Sequence, residues 1–203
     1  MHATLIAMSA CDTLPMSKVT LDDHHGPWTE EEYLALDETD QRIELLDGSL
    51  WVSPAPNGPH QDISVRLAAE LLPLCDKAGL RVRPDVNVRL RTGRIMQPDL
   101  IISRGPRVVT VTDASDVLVV CEITSPSNAT TDRALKKQLY AEARIKWYLL
   151  IEPEMTDYES VTLHLFRLEA DGYSTYAVAR GDETLTLDEP FPIRIEANRL
   201  LGL

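Results

Sequence analysis

The sequence predicts an α+β, or mixed α/β, fold in a single domain. Two observations indicate this class: helical spacing of apolar residues alternates with short apolar strands, and turn signals for antiparallel hairpins recur along the chain. A third is the apolar fraction of 44% in 203 residues, which is enough for a sizeable core. We assign residues 27–203 to the domain and residues 1–26 to a loose N-terminal tail.

The first predicted elements are a short helix and a hairpin. Thr29 and Glu32 have the spacing of a capping box, which predicts a short helix directly after Thr29. Asp47-Gly48 lies between two apolar runs and predicts a tight hairpin turn. In the first strand of this hairpin, alternation places Arg42 and Glu44 on the same face. Glu44 taken alone would be a solvent-facing strand residue.

A proline-rich loop, a long helix and an alternating strand are predicted next. Residues 54–60, PAPNGPH, contain three prolines and one glycine, which exclude regular structure there. Apolar residues at helical spacing then predict a helix from His60 to about Ala78, with Gly79 as a capping residue. Residues 81–91 alternate cleanly and predict one continuous strand. Its polar face would carry Arg81, Arg83, Asp85, Asn87, Arg89 and Arg91, and Thr92-Gly93 would turn the chain into a strand with Asp99.

The second half of the chain predicts further strands around one helix. Residues 117–123 form an apolar run that contains Glu122 and is typical of a strand buried on both faces. A polar connector after Arg104 should lead into this strand. The remaining elements are predicted as a helix from Asp132 to about Ala143 capped by Thr130 or Thr131, a buried strand over residues 145–153, a hairpin over residues 161–180 with Asp171-Gly172 at its turn, and a last strand or two with a short terminal element.

Charge and cysteine usage restrict the partners and the compartment. The formal net charge is -12 and the pI is about 4.8, which argues against sequence-independent coating of nucleic acid but allows a local basic groove. Three cysteines far apart in sequence indicate reduced thiols in an intracellular protein. No apolar run approaches the roughly 20 residues of a membrane span, and the N-terminus lacks the basic start of a signal peptide. We therefore expect a cytoplasmic protein without a membrane partner.

Two acids on candidate neighbouring strands, Asp99 and Glu122, indicate a metal-binding site. An ionised carboxylate in the apolar run around Glu122 is costly unless a cation or donors meet it, and a bound metal is one such cation. Asp99 and Glu122 could share a divalent ion, with the backbone carbonyl of Ile123 as a natural extra ligand. Lys136 or Lys137 could then orient an attacking water or meet negative charge on a phosphoryl group.

Each of these residues also has an interpretation without catalysis. Asp99 could be a turn residue at the start of its strand. Glu122 could form a structural ion pair with an arginine. Lys136 and Lys137 could lie on a solvated helix face. His60 could be a polar cap after the proline-rich loop.

Four stretches of the chain carry a family resemblance: TEEEYLALDETDQRIELLDGSLWVSPAPNGPHQDIS, QPDL, CEITSPSNATTDRALKKQLYAEA and IKWYLLIEP. In this order and spacing they resemble the Uma-type family, a bacterial branch of the PD-(D/E)XK superfamily of restriction-endonuclease-like nucleases. The resemblance runs from about Trp28 to Pro153 and more weakly to the end of the chain. It implies a restriction-endonuclease-like core, that is, a mixed β-sheet flanked by helices with additional antiparallel hairpins.

The resemblance also implies roles for individual residues. Pro98-Asp99 matches the PD motif and Glu122 matches the second acid, so both would bind a metal, Mg²⁺ or Mn²⁺. The superfamily usually has a lysine two residues beyond this acid, where Thr124 stands; the Uma-type pattern instead uses a lysine of the following helix, here Lys136. Arg144 stands where the family usually has a glycine after this helix. Glu44 matches an early acid of the family and would join Asp99, Glu122 and Lys136 as a catalytic residue. Supporting candidates are Gln97, Ser125, His60, Lys137 and Tyr140.

The resemblance favours a metal-dependent endonuclease that hydrolyses phosphodiester bonds in DNA. Five arginines could contact phosphates, or they could form the solvent-exposed face of an edge strand. They are Arg81, Arg83, Arg89, Arg91 and Arg94. One alternative is a catalytically silent nucleic-acid-binding or scaffold module on the same fold, which Thr124 and the acidic net charge favour. Another is a metal-dependent hydrolase of a small phosphorylated substrate. A homodimer would suit the cutting of both DNA strands.

Overall fold

The computed structural model describes residues 24–36, 41–125 and 132–202. Residues 1–23 of the expected tail lie outside this part, as do the expected helix caps Thr130 and Thr131. The described strands are β1 (Arg42–Leu46), β2 (Ser49–Ser53), β3 (Arg81–Pro84), β4 (Asn87–Arg91), β5 (Arg94–Met96), β6 (Leu100–Ser103), β7 (Val111–Asp113), β8 (Val117–Ile123), β9 (Trp147–Pro153), β10 (Val161–Glu169), β11 (Gly172–Arg180), β12 (Thr184–Leu187) and β13 (Ile193–Glu196). The described helical segments are α1 (Glu30–Leu34), α2 (Gly58–Lys77), α3 (Lys137–Glu142), a π-helical turn (Asp132–Lys136) directly before α3, and 3-10 turns at Ala114–Asp116 and Ala197–Leu201.

The described strands form three sheets, which confirms the α+β class with a mixed sheet. The six-stranded sheet has the order β11-β10-β9-β8-β6-β3. Its pair β8–β9 is parallel, whereas the other pairs are antiparallel. A five-stranded sheet has the order β2-β1-β5-β4-β7, and β12 and β13 form the third sheet. A parallel pair needs a crossover connection, and the π-helical turn and α3 belong to the connection between β8 and β9.

Apolar packing covers both faces of the six-stranded sheet. On one face, α2 contributes buried residues from one side of the helix: Ile63, Leu67, Leu71 and Cys75. On the opposite face, a second cluster joins sheet residues to Leu139 and Tyr140 of α3. β8 is therefore buried on both faces, as its apolar run predicted. Both cysteines within the described residues, Cys75 and Cys121, are buried free thiols.

Several predicted turns and caps are confirmed. Thr29 accepts a hydrogen bond from the N–H of Glu32 at 3.2 Å, and Glu32 accepts one from the N–H of Thr29 at 2.9 Å, which completes the capping box of α1. Asp47 and Gly48 have φ values of 50° and 85°, as a two-residue hairpin turn demands. Gly79 follows the end of α2 with a φ of 70°. No helix among the described residues is both long and apolar enough to cross a membrane.

The prediction of one strand over residues 81–91 is wrong. Asp85 adopts a left-handed conformation with a φ of 47°. The chain therefore turns after Pro84, and β3 joins the six-stranded sheet while β4 joins the five-stranded sheet. The arginines of this segment consequently do not share one face. Thr92-Gly93 likewise leads into β5, which precedes β6 in another sheet, rather than directly into the strand that follows Asp99.

Three further boundaries differ from the sequence predictions. α2 begins at Gly58, inside the proline-rich loop, because Asn57 accepts a hydrogen bond from the N–H of His60 at 3.1 Å and caps the helix. The connector after Arg104 is not wholly irregular, since it contains β7 and a 3-10 turn. The helix predicted from Asp132 begins with a π-helical turn rather than an α-helical one.

Candidate active site

The six-stranded sheet brings the two predicted acids together where β6 begins and β8 ends. Leu100 of β6 pairs with Cys121 of the antiparallel β8, so the next pair along this register is Asp99 with Glu122. Directly opposed residues of an antiparallel pair point to the same face of a sheet. Asp99 is 1% exposed and Glu122 is 0% exposed. Two neighbouring carboxylates thus lie in the interior, and each requires polar partners.

Three groups surround the carboxylate of Asp99. Its Oδ1 lies 2.6 Å from a guanidinium nitrogen of Arg42, and its Oδ2 lies 3.2 Å from Nε2 of His60. The main-chain N–H of Ile123 donates to the same Oδ2 at 2.6 Å. Burial by itself raises the pKa of Asp99, but the hydrogen bond from His60 and the positive charge of Arg42 outweigh it and hold that pKa below its ordinary value. Asp99 is therefore ionised at neutral pH.

Glu122 meets its partners on the side of α3. Nζ of Lys136 lies 3.2 and 3.3 Å from the two carboxylate oxygens of Glu122, and the hydroxyl of Tyr140 donates a short hydrogen bond to one of them. Lys136 and Tyr140 are four residues apart, so the helix presents both to the same carboxylate. Burial and the negative charge of Glu122 raise the pKa of Tyr140 well above its ordinary value. The phenol therefore keeps its proton and remains a donor.

Glu44 joins these residues from the five-stranded sheet. It lies on β1, is 3% exposed, and has its Oε1 3.3 Å from Nζ of Lys136. The N–H of Gln97 donates to the same oxygen at 2.8 Å, and the side chain of Gln97 donates to the carbonyl of Asp85 at 3.2 Å. The solvent-facing interpretation of Glu44 is therefore wrong. We call Glu44, Asp99 and Glu122 the acid cluster.

The two candidate lysines have different surroundings. Lys136 contacts the acid cluster, whereas Nζ of Lys137 lies 3.5 Å from the centroid of the Phe166 ring. Burial lowers the pKa of Lys137. Thr124, at the position where the superfamily usually has its lysine, donates its hydroxyl to the carbonyl of Ile151 at 3.3 Å. An ammonium thus reaches Glu122 from the helix rather than from the strand.

Arg42 and Asp85 belong to the site although the sequence pattern predicted them only as residues of strand faces. The guanidinium of Arg42 bridges the buried Asp99 and the Oδ1 of Asp85, which lies 2.7 Å away. The side chain of Asp85 is 48% exposed, whereas that of Arg42 is 10% exposed. One signal for Arg42 was present, since alternation puts it on the same face of β1 as Glu44. His60 was a candidate without a role, and its contact with Asp99 supplies one.

Most of the arginines expected to contact phosphates pair with carboxylates, and Arg91 and Arg94 share Asp47. The ion pairs, with nitrogen–oxygen distances of 2.6 to 2.9 Å, are Arg89 with Glu30 and Asp113, Arg91 with Asp47, and Arg94 with Asp47 and Glu142. Arg83 donates to the hydroxyl of Thr112 and to the carbonyl of Pro106. Arg81 is exposed, and Ser125 is half-buried just beyond β8.

The donor set fits a hard divalent cation that takes few ligands from the protein. Asp99 and Glu122 offer carboxylate oxygens on one sheet face. The three carboxylates of the acid cluster meet Arg42 and Lys136 in this site, and a bound metal would add positive charge among them. The described residues contain no preformed group of three or more His, Cys, Asp or Glu for a metal ion. Mg²⁺ is commonly bound by one or two carboxylates together with water and substrate phosphate, and Asp99 and Glu122 would supply two carboxylates.

Comparisons with known proteins point to nucleases. The sequence profile of the Uma2 family, described as "Putative restriction endonuclease", matches residues 30–200 of the chain. The structure is similar to the crystal structure of a "putative nuclease belonging to DUF820" from Anabaena variabilis ATCC 29413, with a TM-score of 0.65 and 17% sequence identity. That match covers 87% of this chain and 98% of the other, and it shows a shared fold. None of the curated proteins matches the chain.

Proposed function

Because the chain belongs to the Uma2 family, described as "Putative restriction endonuclease", we propose that it is a metal-dependent endonuclease that hydrolyses phosphodiester bonds in DNA. One observation carries the proposal: Asp99 and Glu122 are neighbours on one sheet face, and the ammonium of Lys136 lies 3.2 Å from Glu122. Phosphodiester hydrolysis needs an activated water and positive charge against the negative charge that develops on the phosphoryl group. Two carboxylates for a metal, with an ammonium beside them, meet that need.

Each residue of the site has a definite task in this proposal. Asp99 and Glu122 hold the metal, Mg²⁺ or Mn²⁺. When bound, the metal lowers the pKa of a water molecule and offsets charge on phosphoryl oxygens. Lys136 orients the attacking water and stabilises the transition state with its ammonium. Glu44 holds Lys136 in place at 3.3 Å, and Tyr140 holds the carboxylate of Glu122 in place through its hydroxyl.

Substrate contacts in this proposal come from arginines with exposed side chains. Arg81 is exposed and the side chain of Arg91 is 57% exposed, so both can reach a phosphate. Arg94 is the least suited of the five candidates, because its side chain is 10% exposed and binds two carboxylates. We further propose that the enzyme acts in the cytoplasm as a homodimer, since two sites related by a two-fold axis can cut both strands of a duplex.

Nicking of supercoiled plasmid DNA in Mg²⁺ or Mn²⁺ tests the proposal. We expect nicking by the wild type and a loss of roughly 100-fold or more in Asp99→Asn, Glu122→Gln and Lys136→Met. Lys137→Met is the matched control, because Lys137 contacts Phe166 instead of the acid cluster; it should keep most of the activity. A wild type that nicks with neither metal, or an Asp99→Asn variant as active as the wild type, would contradict the proposal.

A catalytically silent module on the same fold is the second candidate. It is favoured by the burial of the acid cluster, whose members are at most 3% exposed and already face Arg42 and Lys136. This alternative predicts no Mn²⁺ binding by calorimetry and no nicking in a correctly folded wild type. A third outcome, cleavage of a small phosphodiester but not of DNA, would indicate a hydrolase of a small phosphorylated substrate.

A further inference from the structure

One oxygen of the buried Asp99 carboxylate is saturated by donors that belong to the protein interior. Oδ2 accepts a hydrogen bond from the N–H of Ile123 at 2.6 Å, and Nε2 of His60 lies 3.2 Å from it. A carboxylate oxygen has two lone pairs, so two donors use both. The oxygen that remains for a metal is therefore Oδ1. Arg42 lies at this oxygen, with a guanidinium nitrogen 2.6 Å away.

Arg42 has a second partner at the protein surface. The same guanidinium nitrogen lies 2.7 Å from Oδ1 of Asp85. The side chain of Asp85 is 48% exposed, whereas that of Asp99 is 2% exposed. Arg42 therefore spans the boundary between the acid cluster and solvent. A long arginine side chain can move its charged head toward water while its aliphatic part stays packed, so the guanidinium can leave Asp99 and keep its ion pair with Asp85.

We propose that Arg42 is a displaceable cation, which neutralises Asp99 in the metal-free protein and moves outward to Asp85 when a divalent cation binds. The inference rests on the proposed metal-dependent function and identifies the residue that competes with the metal. A buried carboxylate needs a cation beside it at all times. Two cations at one carboxylate oxygen repel each other, so the arrival of one favours the departure of the other. Arg42 thus lowers the affinity for the metal and stabilises the site until the metal arrives.

Calorimetric titration with Mn²⁺ alone tests this inference without any measurement of activity. The proteins to compare are the wild type, Arg42→Met, Asp85→Asn and the double variant Arg42→Met/Asp85→Asn. Arg94→Met is the matched control. Its side chain is 10% exposed, like that of Arg42, and it also bridges two carboxylates, but it does not contact the acid cluster. Circular dichroism checks the fold of each variant, and Arg42→Gln, whose amide can still donate to Asp99, replaces Arg42→Met if the latter does not fold.

The expected change in Mn²⁺ affinity has opposite signs for Arg42→Met and for Asp85→Asn. Arg42→Met should bind Mn²⁺ roughly tenfold or more tightly than the wild type, because a competing charge has left a buried carboxylate. Asp85→Asn should bind Mn²⁺ more weakly, because the outward position of Arg42 has lost its anchor. In the Arg42→Met background, Asp85→Asn should have almost no further effect. Arg94→Met should bind like the wild type, and Mn²⁺ should raise the melting temperature of Arg42→Met more than that of the wild type.

Three results would overturn the inference. Mn²⁺ binding by Arg42→Met that is no tighter than wild-type binding would show that Arg42 does not compete with the metal, while the proposed nuclease function would stand. Equal gains in Arg42→Met and Arg94→Met would indicate a general charge effect instead of displacement. Absence of Mn²⁺ binding by both the wild type and Arg42→Met would remove this inference together with the metal requirement of the proposed function.

Discussion

Glu122 and Lys136 form a buried ion pair in which each charge depends on the other. Glu122 is 0% exposed and Lys136 is 4% exposed, so removal of one partner leaves the other charged in the interior. Breaking such a pair typically costs about 3–5 kcal/mol, whereas replacing both partners can be nearly neutral. Glu44 adds a second carboxylate to the same ammonium at 3.3 Å. Loss of either partner should therefore lower the free energy of unfolding as well as the activity.

We expect Lys136→Met to lower the free energy of unfolding by about 3 kcal/mol, because it removes the ammonium that contacts the buried carboxylates of Glu122 and Glu44. The double variant Glu122→Gln/Lys136→Met should recover part of this loss, because Glu122 no longer carries a charge while Glu44 still lacks the ammonium. Urea unfolding followed by circular dichroism measures all three proteins. Lys137→Met is the control and should lose about 0.5–1 kcal/mol, the worth of its contact with an aromatic ring. Equal losses in the two lysine variants would contradict the buried pair.

The acids of the site could be predicted from sequence, but their cations only in part. Glu122 stands out because an apolar strand rarely holds a carboxylate, and Asp99 because it follows a proline before another apolar strand. The pairing of Arg42 with Asp99 could not be predicted, because β1 and β6 belong to different sheets. How two sheets pack against each other depends on tertiary contacts that no local pattern in the sequence reveals. The choice of Lys136 over Lys137 came from family resemblance, and the structure supports the same lysine by its contact with Glu122.

The helix that presents Lys136 is irregular at both ends. The π-helical turn Asp132–Lys136 precedes α3, and such turns are frequent at functional sites. After α3, Arg144 adopts a left-handed conformation with a φ of 62°, in the place where the family usually has glycine. The helix thus ends with the left-handed residue that the family resemblance implies, although arginine adopts this conformation less readily than glycine. Leu139 and Tyr140 anchor the segment between these ends in the core.

We expect Arg144→Gly to raise the free energy of unfolding by about 0.5 kcal/mol. A left-handed conformation costs roughly 1 kcal/mol in a residue other than glycine, and part of this gain is offset by the greater freedom of glycine in the unfolded chain. Arg144→Ala removes the same charge but keeps the strain, so it is the control and should show no gain. Chemical unfolding of both variants measures the difference. Identical stabilities of the glycine and alanine variants would show that the backbone is not strained there.

The interruption between β3 and β4 explains why an alternating pattern can mislead. Both strands alternate, so the pattern continues across the turn and gives no sign of two sheets. Pro84 is the signal that was available, because proline cannot donate a hydrogen bond to a neighbouring strand and favours strand ends or edges. Asp85 then accepts the positive φ more readily than most residues. No comparable signal in the sequence marks the π-helical turn before α3.

The molecule as a whole keeps some acidic groups neutral by burial. Burial, and to a lesser extent the charge of Asp76, raises the pKa of the Cys75 thiol to about 11. Burial also raises the pKa of Tyr173, whose hydroxyl donates to the carbonyl of Ile145 at 2.6 Å. The folded protein resists ionisation at positions where the unfolded chain does not. Stability therefore depends on pH on the alkaline side.

We expect the free energy of unfolding to fall as the pH rises above about 8.5, the pKa of an unfolded cysteine. A group whose pKa is raised by folding stabilises the protein fully below its unfolded pKa and loses this contribution as the pH rises toward its folded pKa. For Cys75 the loss should run from about pH 8.5 to about 11. Urea midpoints at a series of pH values measure this decline. Cys75→Ala should make the decline less steep, and the remaining decline belongs to the buried Cys121, whose pKa is also raised by burial. Stability that stays constant from pH 7 to about 10.5 would contradict the expectation.

The candidate site takes its side chains from residues far apart in the chain, from Arg42 on β1 to Lys136 before α3. A ribosome makes these segments in order, and the early strands emerge long before the lysine does. Until that point, a growing polypeptide holds its carboxylates without their ammonium and without the sheet that aligns them. Under the proposed function, a chain that ends before Lys136 therefore has no assembled site and should not cut DNA.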